Sequence, residues 1–189
     1  MRIIGSVRSL LCMAVMGVFV AQFVGDALAH ESGFPEKTLK SVYPDATGFT
    51  ARKKSLTPAQ VKRVEQASGS KLHANDNPVN FYVAVGKSAD GSGVLGMVLL
   101  VDTEGPKGVV DLAIGVKRDM TIQRVVVVEN KDEAALAAPA FLDQFKGKGA
   151  AAALAVKKDL RYSGAAAAGE AVASAVRRGL QLLSEASKP

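Results

Sequence analysis

Four extended, β-branched-rich runs lie between residues 81 and 128: Phe81 to Val85, Met97 to Val101, Val109 to Val116 and Ile122 to Val128. Clusters of Gly, Pro, Asp and Asn bound them, as in Asp90-Gly91-Ser92-Gly93, Glu104-Gly105-Pro106 and Arg118-Asp119. A parallel pair needs a crossover of a dozen or more residues, and none of these connections has room for a crossover helix. The runs are therefore predicted to pair as an antiparallel meander. In the third run Val110, Leu112, Ile114 and Val116 alternate onto one face, which needs a cover of helices.

Helices are predicted on either side of the meander. A short one spans 35–43, with Leu39 and Val42 on one side and Pro44 closing it. The next, 58–68, has Thr57 as N-cap, Pro58 at the first helical position and Gln60 completing a capping box. Leu56 and Val61 are spaced for a hydrophobic staple, and Gly69 ends the helix. From 134 to 175 the composition changes, with 17 Ala in 42 residues. Alanine favours helix but buries little surface, so these helices must pack closely. One is predicted at 138–145, with Phe141 and Phe145 inward. Another runs from about 164 to 185, where Val172, Val176, Leu180 and Leu183 recur at helical spacing and Arg177 and Arg178 fall to the side. Helices, then strands, then helices predict one α+β domain, an antiparallel sheet of about four strands with the helices packed on one face.

The N-terminus supplies an address. A basic stretch containing Arg2 and Arg8 precedes an apolar run from Leu10 to Val24, and Ala27-Leu28-Ala29 closes it. This is the order of a secretory signal peptide, so 1–29 is predicted to be cleaved and 30–189 to act in the periplasm. The alternative is an uncleaved membrane anchor. Cleavage removes Arg2, Arg8 and Asp26, leaving 22 cations and 17 anions, and it removes Cys12, the one cysteine. A disulfide scaffold, a Cys-based zinc site, an iron–sulfur cluster and c-type haem are excluded on that count. With two His in 189 residues, a dedicated metal enzyme is also disfavoured. The cations are scattered (Arg52-Lys53-Lys54, Lys157-Lys158, Arg177-Arg178), which fits weak attraction to a membrane surface and gives no nucleic-acid footprint.

Three candidate sites fail on context. Gly91-Ser92-Gly93-Val94-Leu95-Gly96 matches G-x-G-x-x-G, but the fingerprint needs a helix directly after it, and an extended run follows. His30 and His73 lack metal-ligand spacing, and His73 reads as a solvated loop residue. Ser163 lacks the G-x-S-x-G frame of a hydrolase nucleophile. The stretch Arg161-Tyr162-Ser163-Gly164-Ala165-Ala166 differs, because it places Ser163 as N-cap before a first turn of tiny side chains. Free amides and the positive end of the helix dipole would face outward there. Two readings stay open: a phosphate-accepting end, or a helix that begins with small residues because it packs tightly.

These segments, in this order, resemble the FMN-binding domain family found in the G subunit of the Rnf electron-transport complex and the C subunit of the sodium-translocating NADH:quinone reductase. Residues 108–116, 119–122 and 125–129 resemble the family's sheet. Phe141-Leu142-Asp143-Gln144-Phe145-Lys146-Gly147-Lys148 is similar to its F-L-x-Q-F-x-G-K segment. Ser163-Gly164-Ala165, followed by Ala171-Val172, is similar to its S-G-A-T-x-[TS]-S-x-A-V signature. Leu39 to Ala46 resembles its L-x-x-x-F-P-x-A opening. The resemblance implies an FMN site at Ser163, Gly164, Ala165 and Ala166, with Lys148, or the loop at Asn130 and Lys131, neutralising the phosphate or reduced ring.

The departures matter equally. The family's flavin-bearing Thr is here Ala166, which has no oxygen to esterify, and Ala168 and Gly169 follow where hydroxyls would stand. Its Gly-rich E-T-x-G-x-G loop is replaced by Glu133-Ala134-Ala135-Leu136-Ala137. The expected function is therefore an exported, non-covalent FMN protein that passes electrons to a membrane or periplasmic redox partner, a carrier rather than a stand-alone enzyme. The alternative is a flavin-free member serving as a binding or assembly module of a membrane redox complex.

Overall fold

The computed structural model describes residues 34–88 and 91–188. The segment 1–29 read as a signal peptide, and His30, lie outside the described residues. From Pro35 onward the chain forms one unit. Its order is α1 (Glu36–Val42), β1 (Gly48–Lys54), α2 (Pro58–Ser68), β2 (Val79–Val85), β3 (Val94–Glu104), β4 (Val109–Lys117), β5 (Ile122–Asn130), α3 (Pro139–Leu142) and α4 (Ala166–Ala186). Single 3-10 turns add Ala74–Asp76, Ala134–Ala137 and Asp143–Phe145. The five strands form one antiparallel sheet in sequence order, so the meander and the α+β class are as expected.

The added strand is β1, which pairs with β2 from Gly48↔Val85 to Lys54↔Val79. Its residues Thr50, Ala51, Arg52 and Lys53 are exposed, as suits an edge strand that discourages further pairing. The start of α2 is built as predicted: Thr57 Oγ1 accepts from the Gln60 N–H at 3.3 Å, and the Thr57 N–H donates to Gln60 Oε1 at 2.9 Å.

Both faces of the sheet are covered, so the single-face cover predicted for the helices holds for α2 and α4 and not for α1. Val110, Leu112, Ile114 and Val116 of β4 join the larger core with Val172, Val176, Leu180 and Leu183 of α4 and Val64 of α2. Ala84, Val98 and Ala113 point the other way and pack against Leu39, Val42 and Tyr43 of α1 and its end. Glycines make that second layer possible. A Cβ on Gly115 would strike Val42, and one on Gly96 would strike the Tyr43 hydroxyl. Tyr43 Oη instead donates to the Val116 carbonyl at 2.6 Å, tying α1 down to β4.

Candidate functional site

The last helix starts later than its composition suggests. Its first helical residue is Ala166 and its N-cap is Ala165, which has no side chain able to cap. Ser163 is thus not the cap expected from the sequence; it is exposed, two residues upstream. The capping oxygen comes from far away. Glu133 Oε2 accepts from the Ala165 N–H at 3.0 Å and from Tyr162 Oη at 2.8 Å, and Lys107 Nζ donates to Glu133 Oε1 at 3.0 Å. A carboxylate at a helix N-terminus is favoured by the free amides and the dipole together. Hydrogen bonds from Tyr162, then Lys107, then the Ala165 amide hold the Glu133 carboxyl below its ordinary range. Burial, then the neighbouring Glu133, push the Tyr162 phenol well above its ordinary value, so it remains a donor.

The segment carrying Glu133 is pinned at several points. Asn130 Nδ2 donates to the Glu133 carbonyl at 2.8 Å, and the Asp132 N–H donates to Asn130 Oδ1 at 2.9 Å. Lys131 is ion-paired with Glu129 at 3.1 Å. These polar contacts of the Asn130 and Lys131 loop thus lie within the loop and its flanks. Gly164 sits in the crook of this network, where a Cβ would collide with Glu133 Oε2 and the Tyr162 hydroxyl.

Beside the start of α4 lies a cleft of about 550 Å³, lined by Ala135, Ala138, Ala140, Phe141, Gln144, Arg161 and Ser163. Phe141, its one aromatic lining residue, is backed by Tyr162 with ring centroids 4.7 Å apart and by Phe145 at 5.4 Å in an edge-to-face arrangement. Its rim carries the exposed Arg161 and Ser163. Ser163 thus lines the cleft, while Gly164, Ala165 and Ala166 carry the chain from its rim into α4. A hydroxyl and a cation, Ser163 and Arg161, thus stand at the cleft, and the first amides of α4 lie beyond them.

Lys148, the cation expected at the phosphate, is not among the residues that line the cleft; its carbonyl accepts from the Ile122 N–H at the start of β5. Sequence reasoning overlooked Arg161 and the role of Glu133, which was noted only as a departure from the family's loop. Nothing in spacing connects Glu133 to Ala165, 32 positions on.

A second polar cluster lies on the other side of α4. Arg178, expected at the side of the helix, is 2 % exposed, with Nε 2.9 Å from Asp76 Oδ2. His73 is no freely solvated loop residue either. Its Nδ1 is 3.3 Å from Asp102 Oδ2 and its Nε2 is 3.2 Å from Arg178 Nη1. Arg178 Nη2 also lies 3.4 Å from Nδ1, so the guanidinium faces both ring nitrogens. No cluster of His, Cys, Asp and Glu suited to a metal ion occurs among the described residues.

No protein-family model matches the sequence, and no curated protein does. Among solved structures, NqrC of Shewanella oneidensis shares the fold, with a TM-score of 0.50 at 16 % identity, over 77 % of this chain and 84 % of that one.

Proposed function

We propose that this chain is an electron-transfer component that binds FMN reversibly, without a covalent bond, in the cleft beside the start of α4. One observation carries the reading: an apolar cleft of suitable size, rimmed by a cation and a hydroxyl, opens next to the first turn of α4. The fold shared with NqrC and the ordered motifs of the FMN-binding domain family support it.

The residues present fit a phosphorylated flavin held by contacts alone. Arg161 and Ser163 offer donors for a phosphate, as do the amides of Ala166 and Ala167, which a helix cannot satisfy internally. Phe141, Ala135 and Ala138 offer an apolar wall for a ring system. Ala166 does not fit the covalent form, since a methyl group has no oxygen to esterify. Bound flavin would supply the one- and two-electron chemistry that the side chains lack, and the protein would orient it and tune its potential. Export through the 1–29 segment, cleaved or retained as an anchor, would put this carrier on the periplasmic side, facing a membrane redox partner. A net positive charge would then favour a weak approach to an anionic membrane surface.

A second reading has its own observation. Glu133 already lays a carboxylate on the Ala165 amide, and Ala166 has lost the attachment oxygen, as in a fold kept for assembly after its flavin was given up. Titrating FMN into the purified protein decides between them. The flavoprotein reading expects quenched flavin fluorescence, thermal stabilisation, and release of all flavin on denaturation. Absence of both quenching and stabilisation at excess FMN leaves the assembly module.

A further inference from the structure

We infer that Gln144 is the positioning residue of the cleft, holding Arg161 and Ser163 in place to recognise a phosphate monoester; this rests on the flavin reading above. A primary amide has two N–H donors and one carbonyl acceptor, and Gln144 uses both ends on the same loop. Its Oε1 accepts from the Arg161 N–H at 2.7 Å, and its Nε2 donates to the Arg161 carbonyl at 2.8 Å. The same Nε2 donates to the Ala140 carbonyl at 2.7 Å, which anchors the amide on α3. Gln144 therefore treats the Arg161 backbone as a neighbouring strand would, taking up both its N–H and its C=O.

The approach to α4 is held by the core at Leu154 and Leu160 and by Glu170, Arg177 and Gln181 of α4 at Val156, Leu154 and Ala150; past Leu160 the Gln144 bracket takes over. No helix lies between Phe145 and Ala166, and the one β-bridge there joins Val156 to Leu160. The approach is tied on one side by Gln144 at Arg161 and on the other by Glu133 at Tyr162 and Ala165. The Glu133 side serves the helix cap. The Gln144 side sets the residue whose cation rims the cleft, and the Arg161 guanidinium makes no hydrogen bond or ion pair among the described residues. A side chain with no internal partner on a bracketed backbone is arranged to meet an external anion. Glutamate at 144 would keep the acceptor but lose both donors, and asparagine is one methylene too short to span from α3 to the loop.

The test compares FMN with riboflavin, which differ by the phosphate alone, on the full chain and on Q144A, Q144N and R161A. Expected is a loss of about tenfold in FMN affinity for each variant, the size of one good charge-assisted contact, with riboflavin affinity changed less than twofold. Should Q144A unfold, Q144N, which keeps the amide but is too short to reach the loop, gives the same comparison without adding a charge. An unchanged FMN-to-riboflavin ratio in the Gln144 variants, with FMN still bound by the wild type, overturns the inference and leaves the flavin reading standing. Failure of the wild type to bind either flavin overturns both.

Discussion

Replacing Arg178 with methionine probes the packing of α4 most directly. The guanidinium is 2 % exposed, Asp76 is 6 % exposed, and Arg178 Nη2 also donates to the Asp102 carbonyl. The Nε–H is not aimed at Asp76, so that contact is ionic and not a hydrogen bond. Methionine keeps much of the volume and leaves Asp76 as a buried carboxylate, with the His73 N–H at 2.7 Å as a remaining donor. Removing one partner of a buried pair costs about 3–5 kcal/mol, and the surviving His73 contact places this site near 3. For a domain of this size that is a fall in Tm of roughly 10 °C. Thermal or urea unfolding of R178M, D76N and the double variant measures it. The charge left behind drives the cost, so the double variant should recover about 1 kcal/mol or more of the summed single losses. A loss in R178M below about 1 kcal/mol, or strictly additive losses, refutes the idea of a coupled buried pair.

Two further predictions follow from the same geometry. Ala166→Thr places a hydroxyl at the exposed first position of α4, and co-expression with a flavin transferase should then yield flavin that survives denaturation on the chain, read as in-gel fluorescence; the wild type should yield none. Glu185, bonded to Arg63 and Lys188, has its pKa lowered from 4.5 to about 2, the Arg63 hydrogen bond being the largest cause. A depressed carboxyl stabilises the fold fully above its unfolded value and loses that contribution as pH falls from about 4.5 toward 2. Glu185→Gln should therefore flatten the acid limb of a stability–pH curve over that window and leave the neutral region's slope unchanged.

How far the sequence could be read depended on the range of the interactions. The meander was legible because loop length alone forbids parallel pairing between those runs, and α2 because its capping box lies within four residues. β1 escaped because an edge strand is polar for the reason that a loop is polar, and Arg52-Lys53-Lys54 carries no alternation. Arg178 looked lateral beside Arg177, yet it stands three residues after Ala175 and four before Leu182, both buried. Buried apolar neighbours at that spacing put Arg178 on the inward face, a sign present in the sequence but shared with many exposed arginines. Ser163 misled because it is a good capping residue type at a plausible place, while the actual cap, Glu133, is remote. Only the fold brings β5's end to α4's beginning.

The charges around the cleft tie these elements to the question of how flavin could be held. Glu133 and Lys107 neutralise each other at 3.0 Å, leaving Arg161 as a cleft cation with no ion pair among the described residues, and the helix dipole adds roughly half a charge at its N-terminus. A covalent tie would hold a phosphate beside Glu133 whatever its local repulsion, because the bond supplies the free energy of retention. Without the Thr oxygen, retention must come from contacts alone, and the contacts must outweigh a carboxylate already on the Ala165 amide. On the flavin reading, that makes Arg161 more consequential here than it would be in a chain with an attachment Thr, and it gives the Gln144 bracket its roughly tenfold weight in affinity. Losing the oxygen at 166 shifts the demand from one bond to the charge balance of a loop.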